Sequence, residues 1–350
     1  MKKSYNRRKF IKISAMTGAG LSLTGAVLPL FGRSLSGNGK RVGIIGLDTS
    51  HSIEFTRVLN GSNAPAIYEG YKIVAAYPKG SLDIESSVSR IPGYIEQVKG
   101  MGVEIVDSID DLLTKVDVVL LETNDGRRHL EQVIPVLKSG KTVFIDKPIS
   151  ASLADAIAIF ELAKHYKVPV FSSSTLRFMS SAQEVVKGKI GKVLGADTYS
   201  PCTLEKTHPD FFWYGIHGVE ILYTVMGTGC KEVVRVHTDS TDVATGTWED
   251  GRIGSFRGTR TGKHTYGGTA YGENGDAVLG PVQGYEALLT EIVKFFQTGT
   301  APVKAEETLE MLTFMEAADE SKKRNGIPVK LEGVWKKANA EAQRTLKKLL

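Results

Sequence analysis

Two cysteines in 350 residues are too few for a disulfide framework, so the fold must rest on a hydrophobic core. Cys202 and Cys230 could pair in an oxidising compartment, but free buried thiols are the plainer expectation. Long apolar runs are also missing. The most apolar stretch, Ile13 to Leu30, is broken by Gly18, Gly20 and Gly25 and by Ser and Thr residues, which makes it a weak membrane anchor and excludes a multi-span membrane protein. No low-complexity tract or internal repeat is present, which excludes disorder and collagen. With 41% hydrophobic and 24% charged residues, the chain has the balance of a soluble globular protein with room for two domains.

Acidic residues are absent from the first 33 positions, which carry Lys2, Lys3, Arg7, Arg8, Lys9, Lys12 and Arg33. The formal charge of +5 therefore belongs to that end, and the remainder is close to neutral. A near-neutral body has no general electrostatic attraction for a polyanion, so no nucleic-acid partner is expected. The run Asn6-Arg7-Arg8-Lys9-Phe10-Ile11-Lys12 before a mildly apolar segment resembles a twin-arginine export signal. Residues 1–33 thus read as an address, with cleavage expected between Gly32 and Gly39. The resemblance implies a periplasmic or otherwise exported protein whose partner is the twin-arginine machinery, with no stable membrane span.

From Lys40 onward, short apolar strands alternate with helical segments. Strands are expected at 41–47, 72–77, 103–106, 116–122, 142–145 and 169–172, with helices between them, including one over 153–166 whose Leu153, Ile157, Phe160 and Ala163 make a stripe. This pattern predicts an α/β domain over residues 40–178, a Rossmann-type doubly wound parallel sheet. After Phe178 the texture changes. Residues 230–279 are rich in Thr, Val and Gly with turn signals such as Glu249-Asp250-Gly251, so residues 179–330 read as an α+β domain with a large open, mainly antiparallel sheet. Residues 331–350 read as an amphipathic C-terminal helix.

Three segments carry a family resemblance. They are Val42-Gly43-Ile44-Ile45-Gly46, the stretch from Val118 to Pro148 with Thr123-Asn124, His129 and Asp146-Lys147-Pro148, and Ser174-Thr175-Leu176-Arg177-Phe178. Together the chain resembles the family of glucose–fructose oxidoreductase, inositol dehydrogenase and rhizopine-catabolism proteins. The resemblance implies an NAD(P)-dependent oxidoreductase acting on a sugar, cyclitol or related polyol, working as a homo-oligomer. It also implies cofactor contacts from Gly43, Gly46, Leu47, Asp48, Thr49, Lys79, Thr123, Asn124, His129, Asp146 and Lys147. The family's Glu-Lys-Pro motif stands here as Asp146-Lys147-Pro148.

Lys147, at a strand end before a proline, is placed to hydrogen-bond a substrate hydroxyl and lower its pKa. His217, in Tyr214-Gly215-Ile216-His217, matches the family's cleft histidine, and these two are the expected catalytic pair. Arg177 and Trp213 join them as expected substrate contacts. An aspartate common four residues before that histidine is replaced by Trp213.

A second departure is the fingerprint itself. In G-x-G-x-x-G, the run Gly46-Leu47-Asp48-Thr49-Ser50-His51 puts Asp48 and His51 where the second and third glycines belong. A carboxylate at the second position crowds and repels a pyrophosphate, so cofactor binding must be atypical or absent. Strand two ends Tyr77-Pro78-Lys79-Gly80-Ser81 without the acid that takes the ribose hydroxyls of NAD. Lys79 and Ser81 lean instead toward the 2′-phosphate of NADP. Asp48, His51, His208, Asp210, His217 and Glu220 contain enough ligands for a metal, but their spacing matches no compact motif and none is expected. The alternatives are a carbohydrate-binding protein without redox activity and a metal-dependent lyase or isomerase.

Overall fold

The computed structural model describes residues 40–350, so the export segment read in residues 1–33 lies outside the described residues. The first domain is a six-stranded parallel sheet of β1 (Arg41–Ile45), β2 (Lys72–Tyr77), β3 (Glu104–Ile105), β4 (Val118–Leu121), β5 (Val143–Ile145) and β6 (Val170–Phe171), in the order β3-β2-β1-β4-β5-β6. Its helices are α1 (Ser50–Asn60), α2 (Glu85–Val88), α3 (Ile91–Gly100), α4 (Ile109–Lys115), α5 (His129–Lys138) and α6 (Leu153–Tyr166). Val42, Ile44, Ile45 and all of β4 are buried, as continuous apolar runs must be when helices cover both sheet faces. The hydroxyls of Ser108 and Ser152 cap α4 and α6 by accepting from Asp111 N and Asp155 N, each cap worth about 1 kcal/mol. Strand order reverses between β1 and β4, which makes their carboxyl ends the place where such sheets bind ligands.

The second sheet contains β7 (Val193–Pro201), β8 (Cys230–His237), β9 (Thr241–Trp248), β10 (Ile253–Thr259), β11 (Gly267–Gly272), β12 (Gly275–Leu279) and β13 (Val329–Lys330), ordered β12-β11-β7-β10-β9-β8-β13. Every pair is antiparallel except β7 with β10. With it come α7 (Ser180–Val186), α8 (Ile216–Met226), α9 (Glu286–Thr298), α10 (Ala305–Lys323) and α11 (Leu331–Leu349). Helices α8 and α10 lie on one sheet face. Tyr199, Val236, Ile253 and Val278 remain exposed on its strands. Within the second domain, the guanidinium of Arg235 is fully buried among Asp210, Asp242 and Asp319.

Packing does not follow chain order. Leu288, Ile292, Phe295 and Phe296 of α9 join the core of the first domain beside Val42, Ile44, Phe144 and Phe171, and the Phe171 and Phe295 rings lie 4.7 Å apart. Helix α11 likewise returns to pack on α6. Cys202 and Cys230 are both free and buried, and burial pushes each thiol up to about 12. Among the described residues, no helix is long and apolar enough to cross a membrane.

Candidate functional site

The loop after β1 closes on itself. Gly46 has φ +90°, and a Cβ there would come within 2.6 Å of the Thr123 backbone, so glycine is required. Leu47 N donates to Pro78 O at 3.2 Å. Thr49 caps α1, its hydroxyl accepting from His51 N. The fully buried Asp48 carboxylate accepts from Ser81 N and Ser81 Oγ, both at 2.7 Å, and from Asn124 N at 3.0 Å. Gly80 makes room for it, since a Cβ at Gly80 would lie 2.4 Å from the carboxylate. Asp48 thus ties the ends of β1, β2 and β4 together. An anion of the chain's own already takes backbone donors in the crevice, so a dinucleotide pyrophosphate seated as in a glycine loop does not fit there.

Several expected cofactor contacts are in fact internal. Gly43 packs within β1, where a Cβ would press on Leu112 and Val116, and Leu47 is wholly buried. Thr123 donates its hydroxyl to Gln132 Oε1 at 2.7 Å. The His129 ring is fully buried between the carbonyls of Thr123 and Ile149, at 2.7 and 3.1 Å, and burial lowers its pKa. It braces the ends of β4 and β5. Asn124 Nδ2 is committed to Ser87 Oγ at 2.8 Å. Because the Ser81 hydroxyl serves Asp48, only the exposed Lys79 is left of the expected 2′-phosphate pair.

Lys147 and His217 come within electrostatic reach of each other across the two domains. Burial lowers the His217 pKa well below its ordinary value, and the charges of Lys147 and His51 push it further down. The ring is therefore a neutral imidazole near pH 7, able to accept a proton. Ser174 Oγ holds His217 Nδ1 at 2.9 Å, while Tyr214 and Tyr266 pack edge-on against the ring. Ser174 supplies the orienting contact that the replaced aspartate would have given, a role the sequence did not signal.

The remaining expected site residues fare differently. Arg177 is committed internally: it is buried, donating from Nε to Glu220 Oε1 at 2.9 Å and pairing with Glu307 at 2.6 Å. Burial alone would lower its pKa, but these two carboxylates raise it. Trp213 is buried too, its ring 5.0 Å from that of His208, in a π-helical turn over Phe211–Gly215. The six residues weighed as metal ligands do not assemble. Asp48 serves Ser81 and Asn124, His208 faces Asp125, Asp210 pairs with Arg235 and Lys322, and Glu220 holds Ser173, Ser174 and Arg177.

His51 alone among them faces two acids that sequence reading did not join to it. Its Nδ1 lies 3.1 Å from Asp146 Oδ1 and 3.7 Å from Glu122 Oε2, with both carboxylates fully buried. Burial by itself would lower the His51 pKa, but the two facing acids overcome it and raise it to about 10. For Asp146 burial acts upward and is overcome by the charges of His51 and Lys147, which hold it below the usual carboxylate range. Burial dominates at Glu122, pushing it up to about 7. Neither Glu122 oxygen has a hydrogen-bond partner among the described residues, nor has Asp146 Oδ2 or His51 Nδ1. The signal in the sequence was one acid closing the run Val118-Val119-Leu120-Leu121-Glu122. Beside this cluster, Tyr285 stands edge-on to His51 at 4.6 Å and, with Ser50, Glu54 and Phe55, lines a cleft of about 380 Å³ between α1 and α9.

Comparison with known proteins agrees with this architecture. Residues 40–174 match the model of the GFO_IDH_MocA family, an oxidoreductase family with an NAD-binding Rossmann fold. Inositol 2-dehydrogenase 3 of Saccharopolyspora erythraea is 28% identical over 124 residues, covering 35% of this chain and 31% of that protein. An uncharacterized oxidoreductase of Streptococcus pneumoniae serotype 4 is 31% identical over 152 residues, covering 38% and 41%. The chain thus spans well under half the length of these curated relatives. The scyllo-inositol dehydrogenase of Lactobacillus casei, solved with NAD(H) and scyllo-inositol, superposes with a TM-score of 0.68 at 19% identity, covering 84% of this chain and all of that one. A probable dehydrogenase of Thermotoga maritima gives the same TM-score at 22% identity, covering 84% and 99%. These two likenesses establish the fold.

Proposed function

We propose that this chain is an oxidoreductase of the glucose–fructose oxidoreductase and inositol dehydrogenase type, acting on a sugar, cyclitol or related polyol. The observation that carries it is a neutral, serine-held His217 within electrostatic reach of Lys147, at the carboxyl edge of a sheet whose residues match an NAD-binding oxidoreductase family. A Lys147 ammonium donating to a substrate hydroxyl stabilises developing alkoxide charge, and His217 takes up the proton. A nicotinamide cofactor supplies the hydride acceptor in the family. Asp48 fills the fingerprint crevice, so the glycine-loop seat for such a cofactor's pyrophosphate is taken by the chain's own carboxylate.

Export of the chain by the twin-arginine route belongs to the same proposal, supported by Arg7-Arg8 and the acid-free first 33 residues. So does assembly with further copies, supported by the apolar residues exposed on the second sheet. The test is reduction of NAD or NADP by the purified chain over a panel of inositols and sugars. Lys147→Met is expected to lower kcat/KM at least about a hundredfold, the usual scale for a lost acid–base group. Wild-type turnover with neither cofactor on any polyol overturns the reading. Asp48 favours one second reading, a polyol-handling cleft without a diffusible dinucleotide. Denaturing release and mass spectrometry of any co-purifying nucleotide separates the two.

A further inference from the structure

Three facts about His51, Glu122 and Asp146 stand together. They come from three separate elements, the first turn of α1 and the ends of β4 and β5, yet one ligand atom from each lies within 4.8 Å of the others. Their facing atoms are orphaned: both oxygens of Glu122, Asp146 Oδ2 and His51 Nδ1 lack hydrogen-bond partners among the described residues. Finally, Ser50 and Tyr285, which flank His51 in sequence and in space, line an open cleft.

An internal ion cluster does not account for this. Elsewhere the chain satisfies its buried acids well: Asp48 accepts three hydrogen bonds, and Glu220 accepts from Ser173, Ser174 and Arg177. Leaving a buried carboxylate without a hydrogen-bond donor is costly in general, so a Glu122 faced only by the off-line His51 at 3.7 Å leaves a position for a stronger positive partner. His51 stands on line with neither acid, although it is 3.1 Å from one. Ligand atoms held at about 2.1 Å from one ion sit roughly 3 to 3.5 Å apart, so this spacing needs only small side-chain adjustments.

We propose that His51, Glu122 and Asp146 form a divalent-cation site at the carboxyl edge of the first sheet. One imidazole with two carboxylates suits Zn²⁺ or Mn²⁺. Three protein ligands leave further positions open, and an ion there would present them to oxygen ligands such as vicinal hydroxyls of a polyol. The site is independent of the hydride partner, and its test reads binding rather than turnover.

The purified full chain, stripped with chelator, is titrated with Mn²⁺ and separately with Zn²⁺ by calorimetry. One equivalent per chain is expected. Glu122→Gln should weaken it at least about tenfold, whereas Asp250→Asn, at an exposed turn, should not. The Mn²⁺-loaded wild-type protein, examined by pulsed electron paramagnetic resonance, should show coupling to a histidine nitrogen, a readout that needs no variant to fold. Absence of saturable binding with both metals, unchanged affinity in a folded Glu122→Gln, or a Mn²⁺ signal without nitrogen coupling each overturns the site.

Discussion

Asp48 and Glu122 are both fully buried acids at the carboxyl edge of one sheet, and they could hardly be treated more differently. Asp48 receives two backbone N–H groups and a hydroxyl; Glu122 receives nothing but the off-line approach of His51 at 3.7 Å. The first is closed structure, a carboxylate serving as the chain's own anion. The second is unfinished, which is how a protein holds a group for a ligand. Position in the fold is shared, so the difference lies in the donors each neighbourhood supplies.

The largest expected effect tests the closed side. Asp48→Ala orphans the buried N–H groups of Ser81 and Asn124 and should cost about 3 kcal/mol in chemical denaturation; a loss under about 1 kcal/mol would place Asp48 with Glu122 as a dispensable acid. Asp48→Gly, which restores the second glycine of the fingerprint, should tighten calorimetric NAD(H) binding at least about tenfold.

The pH dependence of stability tests the open side. Both His51 and Glu122 have folded pKa values above their ordinary ones, about 10 against 6.5 and about 7 against 4.5. The folded state then holds the extra proton, so stability in chelator should fall as pH rises, through 4.5 to 7 for Glu122 and through 6.5 to 10 for His51. His51→Gln should remove the upper slope. If that slope persists in the variant, the proton is held elsewhere. Smallest of all, Glu122→Gln in chelator should change stability at pH 8 by no more than about 1 kcal/mol, because losing the off-line 3.7 Å approach of His51 is offset by no longer burying a charge. A loss as large as that of Asp48→Ala would erase the contrast.

How much of this was legible beforehand depends on the range of the interaction. The alternation of apolar runs located β2 and α6 to the residue, because burial on two faces and caps such as Ser152 are local matters. The altered glycines were equally plain, and so was the difficulty they pose for pyrophosphate. The ion pairs of Arg177 were not legible because its partners Glu220 and Glu307 lie far along the chain. The role of Ser174 was missed for the same reason: it meets His217 only across the domain boundary.

The sequence by itself determined a Rossmann-type sheet followed by an open sheet, the strand-end position of Lys147 and the loss of a glycine-type phosphate loop. These follow from periodicity and from the steric needs of single residues. The tertiary structure alone decided that Asp48 would be satisfied and Glu122 left open, that α9 would complete the first domain's core, and that His51 would face two acids. Each of those depends on which distant donor or side chain reaches a buried atom, and that is set by packing in three dimensions.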